Sequence, residues 1–433
     1  MTILIRNGRV IDPATGTDEI LDLLVENDVI KERGVNLVSH ADRVIDAKNL
    51  YVMPGFIDLH VHLRDPGQEE KETIKTGAAA AARGGFTTIV AMPNTNPPVD
   101  NIDTLRYINE KAKKESDIHI LSTAAITKGQ SGLELTNMKE LVDNQAIAFS
   151  EDGKSVMDAQ KLKEAMLKAH ELKVPILSHC EDKSLVNGGV MNDDENAIRL
   201  GLPGISNSVE DVITARDILL AKETKAKLHL CHCSTKDSVW MVQKAKEAGI
   251  DVTAEVCPHH FILSSDDITG DDANYKMNPP LRTKEDVLAL CNGLKEGIMD
   301  VISTDHAPHT KLEKEKGFLK APFGIVGSET VAALTYTKLV LEGFLTPMQM
   351  VEKMSYNPAR ILGIQKGSLE IGKTADIVLF DPLKEYKIDK HTFLSKGKNT
   401  PFDQWKVTGE VAMTISDGKV AYARAGMEGE EQA

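Results

Sequence analysis

Between residues 53 and 364 the chain switches repeatedly between two hydrophobic periods. Short apolar runs occur at 56–60, 87–92, 118–124, 146–151, 175–178, 227–231, 251–256 and 301–304. Each gives way to a longer stretch with apolar residues every three or four positions: about 70–83, 103–114, 136–144, 159–172, 209–221, 236–248, 284–293 and 328–342. The first texture predicts buried strands and the second amphipathic helices. Eight strand–helix pairs in series predict an α/β fold of the (β/α)8 barrel type. A doubly wound sheet competes with it, but no Gly-rich phosphate fingerprint follows any of these strands.

The two ends have a different pattern. Residues 1–52 read as short strands, such as Ile3-Leu4-Ile5 and Arg9-Val10-Ile11, parted by turns at Asn7-Gly8 and Asp12-Pro13. The same texture returns in Ile377-Val378-Leu379-Phe380 and Val411-Ala412-Met413-Thr414-Ile415. Neither end makes a satisfactory sheet alone. The expected organisation is one small β-sandwich domain from 1–52 plus 365–433, and a barrel over 53–364. The Gly/Glu-rich tail, about 426–433, is expected to fray.

In a barrel of this kind, chemistry gathers at the C-terminal strand ends. The first strand runs into Asp58-Leu59-His60-Val61-His62-Leu63-Arg64-Asp65-Pro66-Gly67. Simple alternation puts Asp58, His60 and His62 on one face, and Ile57, Leu59 and Val61 on the other. Asp152 ends the fourth strand, His179 the fifth, His232 the sixth and Asp305 the eighth. Four imidazoles and two carboxylates on one rim form a metal-ligand set. The mixture suits Zn2+, with Mn2+ or Co2+ as substitutes. Six ligands exceed what one catalytic zinc uses; two ions sharing a carboxylate and a hydroxide would use them all. Cys180, Cys231 and Cys233 read instead as buried structural thiols, the last two turned away from His232 by alternation. His259-His260 reaches the same rim without a third ligand at suitable spacing. His119, His170 and His229 read as solvated or packing residues, and Asp58 as a packing residue or a support for a ligand.

Composition narrows the class further. With 41% hydrophobic and 27% charged residues, the 433-residue chain is of ordinary globular type. A net charge of −14 argues against nucleic-acid or anionic-membrane binding. No apolar run approaches the ~20 residues of a membrane span, and no signal-peptide pattern opens the chain. Five cysteines, an odd and sparse set, fit a reducing compartment, so a cytoplasmic protein is expected.

The stretch Pro54-Gly55-Phe56-Ile57-Asp58-Leu59-His60-Val61-His62-Leu63-Arg64-Asp65-Pro66-Gly67, with Thr304-Asp305-His306-Ala307-Pro308-His309, resembles the two signatures of the dihydroorotases. These are amidohydrolase-superfamily enzymes of pyrimidine synthesis. The likeness runs from Asn7-Gly8-Arg9 to Ala375-Asp376-Ile377-Val378 and is to the long, class I bacterial type. Many relatives carry a carboxylated lysine at the end of the fourth strand. Asp152 stands there in this chain, as in class I, which argues against the hydantoinases.

The resemblance implies zinc-dependent, reversible cyclisation of N-carbamoyl-L-aspartate to (S)-dihydroorotate plus water. It implies His60, His62, Asp152 and Asp305 on one metal, and Asp152, His179 and His232 on a second. Asp305 would be the general acid/base. Arg64 and Asn94 would hold the substrate carboxylate, with His62, Asn278, His309, Phe323 and Gly324 as further substrate contacts. A homodimer, and an association with aspartate carbamoyltransferase, are also expected. The rival readings are another cyclic amidohydrolase (a hydantoinase or allantoinase) and a non-catalytic, dihydroorotase-like partner of the carbamoyltransferase. The second would be expected to lack the metal ligands.

Overall fold

The structure is a computed structural model that describes residues 2–427 and 430–431. The eight barrel strands form where the apolar runs predict them: Phe56–Val61, Phe86–Ala91, His119–Ala125, Ala146–Ser150, Ile176–Ser178, Leu228–Leu230, Val252–Val256 and Val301–Ile302. Each pairs in parallel with the next in chain order. The ring closes through a parallel bridge between Val61 and His306, and His62 N donates to His306 O at 2.9 Å. Parallel strands are covered on both faces, which is why these runs are almost continuously apolar.

The first strand departs from simple alternation. Its register against the second slips between Asp58 and Val61. Ile57 and Leu59 pack with the barrel residues Val90, Ala148 and Leu177, whereas Val61 leaves them for the larger core cluster. The irregularity falls on the segment that carries His60.

Five of the eight expected helices lie within two residues of the positions read from the sequence, and a sixth, Ser208–Thr224, runs three residues further than expected; the other two differ for local reasons. The first starts at Ile74 rather than near 70, because Thr73 caps it, its hydroxyl accepting from Thr76 N. The last is α-helical only over Val331–Thr335 and then widens into a π turn over Tyr336–Val340. Short helices such as Pro258–Ile262 and Pro347–Val351 have too few residues for a periodic signal.

Both chain ends build one nine-stranded sheet. Its hydrogen-bonded path runs Lys419–Ala423, Lys406–Ser416, Ile377–Lys387, Tyr51–Pro54, Thr2–Asp12, Thr17–Glu26, Val29–Gly34. Arg43–Asp46 pairs alongside Thr2–Asp12, and Glu430–Glu431 pairs antiparallel with Arg43–Asp46. Of the tail expected to fray, 428–429 and 432–433 lie outside the described residues. The sheet encloses its own core, including Ile3, Val25, Val52, Leu379 and Met413. Gly55 joins it to the barrel; a Cβ there would sit 2.3 Å from Thr87 Oγ1, so only glycine fits the crossing. Between Lys387 and Lys406 the chain leaves the sheet and lies against the C-terminal end of the barrel strands, where Asn399 bonds to Ala307 O and Gly324 O. Among the described residues no helix is long and apolar enough to cross a membrane.

Candidate active site

A cleft of about 220 Å3 opens at the C-terminal strand ends. His62, Asp152, His179, His232 and Asp305 line it, and so do Arg64, Asn94, Asn278, His309, Phe323 and Gly324. His60 lies just beneath, fully buried. Every site residue expected from the sequence therefore converges on one place. Three of them sit in the left-handed backbone region, which non-glycine residues seldom occupy: Arg64 (φ 61°), His232 (φ 32°) and Asp305 (φ 46°). Each follows the end of its strand, where such backbone strain concentrates at functional sites.

Asp152 is the centre of the cluster. Its Oδ1 lies 3.3 Å from His60 Nε2, 3.3 Å from His179 Nδ1 and 3.6 Å from His232 Nε2. Its Oδ2 lies 3.5 Å from His62 Nε2. Asp305 Oδ1 lies 3.1 Å from His62 Nε2 and 3.6 Å from His60 Nε2. His179 Nδ1 and His232 Nε2 face each other at 2.8 Å.

The outer nitrogens of three imidazoles are held by acceptors. His60 Nδ1 donates to Glu255 Oε1 at 2.8 Å, His62 Nδ1 to Asn94 Oδ1 at 2.9 Å, and His179 Nε2 to Glu181 Oε2 at 2.9 Å. Each bond leaves the lone pair of the inner nitrogen aimed at Asp152 or Asp305. This is how metal-ligating histidines are usually oriented. His60 Nε2 and Asp152 Oδ1 are buried without a hydrogen-bond partner. Buried lone pairs turned on one another are costly unless a cation lies between them. The donor set fits divalent metal.

The electrostatics agree. Burial opposes charge on His60, but the nearby Asp152 carboxylate outweighs it and holds the imidazole well above its ordinary range. Burial likewise opposes His179, yet Asp152 and Glu181 bring it up to about 10. Asp152 is held well below the usual carboxylate range against burial, chiefly by His60. The site attracts positive charge.

Part of the support comes from a residue the sequence did not single out. Glu255 is fully buried; its Oε1 also accepts from His232 N at 3.2 Å, and its Oε2 takes His229 Nε2 at 3.1 Å and Ser303 Oγ at 2.6 Å. The only signal for it was a charged residue inside the apolar run Val252-Thr253-Ala254-Glu255-Val256, where an acid must be paired to be buried. His229, expected to be solvated or packing, is buried in this network. Asp58 accepts from Thr304 Oγ1 at 2.6 Å and from His60 N at 3.2 Å, tying the first strand to the eighth. Cys231 is buried as expected, yet its thiol lies with His60 and Glu255, their ligand atoms all within 4.8 Å of one another. His259 and His260 are buried and do not line the cleft; His260 Nε2 donates to Pro279 O at 2.9 Å.

Also lining the cleft, Arg64 Nε donates to Pro308 O at 3.3 Å, and its Nη2 lies 3.4 Å from His309 Nε2. Among the described residues, no carboxylate forms an ion pair with this guanidinium. Asn278 Nδ2 donates to Glu181 Oε2 at 2.8 Å. Lys276 Nζ sits 4.5 Å from the centre of the Phe323 ring.

Comparisons with known proteins agree with this geometry. Residues 50–238 match a family model described as dihydro-orotase-like. A dihydroorotase from Geobacillus sp. (strain WCH70) is 49% identical over 425 residues, covering 98% of this chain and 99% of that protein. One from Bacillus licheniformis is 49% identical over 422 residues, covering 98% of each. Among solved structures, a dihydropyrimidinase from Brevibacillus agri and an L-hydantoinase from Arthrobacter aurescens each superpose with a TM-score of 0.87 at 27% identity, covering 100% of this chain and 97% of theirs.

Proposed function

The chain belongs to the dihydroorotase family of cyclic-amide hydrolases, and from that premise we propose how its residues carry out the reversible cyclisation of N-carbamoyl-L-aspartate to (S)-dihydroorotate. His60, His62, Asp152 and Asp305 would hold one Zn2+, and Asp152, His179 and His232 a second. When bound, such ions polarise the amide carbonyl and make hydroxide available near neutral pH.

The protein's own groups do the rest. Asp305 is beside His62, with its carboxyl held well below the ordinary range by His62 and His60 despite burial. It is therefore an ionised base at neutral pH. In hydrolysis, an Asp305 oxygen takes the proton of the attacking water. As the ring C–N bond breaks, the same oxygen hands that proton to the departing nitrogen, and Asp305 ends unprotonated. Cyclisation runs these transfers backward. Arg64 clamps the carboxylate that does not react, with Asn94 beside it. His62, Asn278, His309, Phe323 and Gly324 hold the ring and its amides.

The observation that carries this reading is Arg64, a guanidinium without an acidic partner among the described residues, lining the same cleft as His62, Asp152 and Asp305. A carboxylate-bearing cyclic amide is the substrate class that uses both. Hydantoinase chemistry is the alternative favoured by the likeness to solved hydantoinases. Metal analysis paired with hydrolysis rates on dihydroorotate, hydantoin and allantoin tests the choice. Two zinc ions per chain and clear preference for dihydroorotate are expected; preference for hydantoin, or full activity without metal, would overturn it. A homodimer, association with an aspartate carbamoyltransferase and residence in the cytoplasm belong to the same reading. The five buried free cysteines suit a reducing compartment, and sedimentation with and without the carbamoyltransferase tests the assembly.

A further inference from the structure

We propose that Asn399, on the segment returning from the terminal sheet, is a positioning residue for substrate binding: its side-chain amide clamps together the two backbone stretches that present Ala307, His309, Phe323 and Gly324 to the cleft. The inference rests on the assignment of those residues to the substrate wall.

All the polar atoms of Asn399 but its backbone N–H point to this role. Nδ2 donates to Ala307 O at 3.1 Å and to Gly324 O at 3.0 Å. Oδ1 accepts from His309 N at 3.1 Å, and the backbone oxygen accepts from Val326 N at 2.9 Å. One side chain thus uses both donors and its acceptor on the two sides of the loop that follows Asp305. The residue is only 4% exposed, so water does not readily replace these bonds. Other bonds hold parts of the loop, among them Gly324 N to Lys276 O at 3.0 Å and Lys314 Nζ to Pro322 O at 3.0 Å, and two further contacts join its sides. His309 Nε2 reaches Phe323 O at 2.8 Å, and Ala307 N donates to Ile325 O at 2.8 Å. Gly324 approaches so closely that a Cβ would lie 2.7 Å from that of Ala307.

The segment carrying Asn399 is itself anchored. Phe393 and Phe402 pack in the core cluster that includes Ile325 and Val326. Lys398 Nζ closes the turn onto Phe393 O (2.6 Å) and Ser395 O (2.7 Å). Ser395 Oγ donates to Glu72, whose carboxylate lies 3.3 Å from His306 Nε2. The terminal region therefore reaches across the barrel and fixes the substrate wall, but among the described residues no hydrogen bond or ion pair joins the segment that carries Asn399 to the six metal-ligand candidates.

This separation makes the role measurable. Asn399→Ala should raise KM for dihydroorotate at least tenfold with bound metal unchanged, since small displacements of substrate-holding groups are costly in rate. A control variant in the terminal core, Ile377→Val, tuned by temperature to an equal fraction folded, should leave KM within twofold. Asn399→Asp, which keeps the acceptor but turns a carboxylate oxygen on two carbonyls, should not rescue. His309→Ala reports on the wall independently, and in the double variant the two effects should fall well short of multiplying, because neighbours acting through one element are coupled. An Asn399→Ala enzyme with unaltered KM, a KM rise matched by the control, rescue by Asn399→Asp, or fully multiplicative effects with His309→Ala would each overturn the proposal. A normal KM in His309→Ala alone, beside a raised KM in Asn399→Ala, would fault the assignment of His309 and leave the clamp standing.

Discussion

Removing the Arg64 guanidinium should separate substrate capture from chemistry. Its one clear hydrogen bond within the protein is long, 3.3 Å to Pro308 O; His309 Nε2, 3.4 Å away, already donates to Phe323 O, and among the described residues no acid pairs with the guanidinium. The protein alone therefore gains little from the charge, and burial disfavours it. A bound carboxylate would accept two charge-assisted bonds from the fork, each contributing about 1.5–3 kcal/mol. Setting the lower end of that range against the open side of the cleft gives about 3–4 kcal/mol for the pair. That corresponds to a roughly 150- to 1000-fold rise in KM for Arg64→Ala. The contact is made equally in the ground and transition states, so kcat should change by less than about threefold. Metal content should equal that of the wild type, since Arg64 contacts none of the ligand atoms. Initial rates in both directions measure this. A decisive control is dihydrouracil, the same ring without the carboxylate, on which variant and wild type should have equal kcat/KM. A KM within threefold of wild type at full metal content would refute the clamp, as would an equal loss on dihydrouracil.

Three further outcomes follow from other parts of the site. Asp305→Asn, nearly isosteric but unable to carry the proton, should lower kcat by about 10²–10⁴; retention of a tenth of the activity in a metal-loaded enzyme would reject the proton-carrier role. Glu255→Gln weakens the acceptor that orients His60 and should cost about 10- to 100-fold in metal affinity, read by chelator competition; unchanged affinity would show that His60 needs no such support. Lys314 is buried, its Nζ donating to Lys276 O and Pro322 O, and burial together with nearby Lys276 brings its pKa from 10.5 down to about 7. Between about 7 and 10.5 the unfolded chain then binds more protons at this site than the folded one, so its contribution makes stability rise with pH through that window. Lys314→Met should flatten the rise of Tm over that range, and identical slopes in the two proteins would refute the linkage.

The metal rim was legible because its residues announce themselves. His60, His62, Asp152, His179, His232 and Asp305 each interrupt or follow an apolar run, and the barrel rule sends all such ends to one face. Apart from Asp58, what escaped the sequence was what supports the rim. Glu255 belongs to a seventh strand that otherwise reads as packing, and its partner His60 lies 195 positions away. Asn399 is an ordinary polar residue in a loop; its partners are 75 to 92 positions distant. Nothing local marks such a residue, because its role comes from tertiary approach alone. The same limit explains the first strand. Alternation assigned Ile57, Leu59 and Val61 to one face, but a register slip between Asp58 and Val61 is set by pairing with the second strand. The eighth helix could be seen by period, yet not its widening at Tyr336, since a π turn changes hydrogen bonding without erasing apolar spacing.

One apparent conflict resolves at this scale. The chain carries a net charge of −14, while carbamoyl aspartate brings two carboxylates. At physiological ionic strength, exposed charges are screened beyond about 8 Å, so the surface acids govern solubility more than capture. Inside the cleft the balance reverses. Arg64 faces the substrate space, Lys276 lies over Phe323, and Lys314 is anchored behind the same loop. The acids that line or support this wall are already engaged: Glu313 by Lys71 at 3.0 Å, Glu181 by His179 and Asn278, and Asp152 by the imidazoles. Among the described residues lining the cleft, the free positive group is thus Arg64, where an anion must sit. An acidic protein can therefore hold an acidic substrate without a basic surface, provided a cation in its cleft, here Arg64, is kept free of an acidic partner.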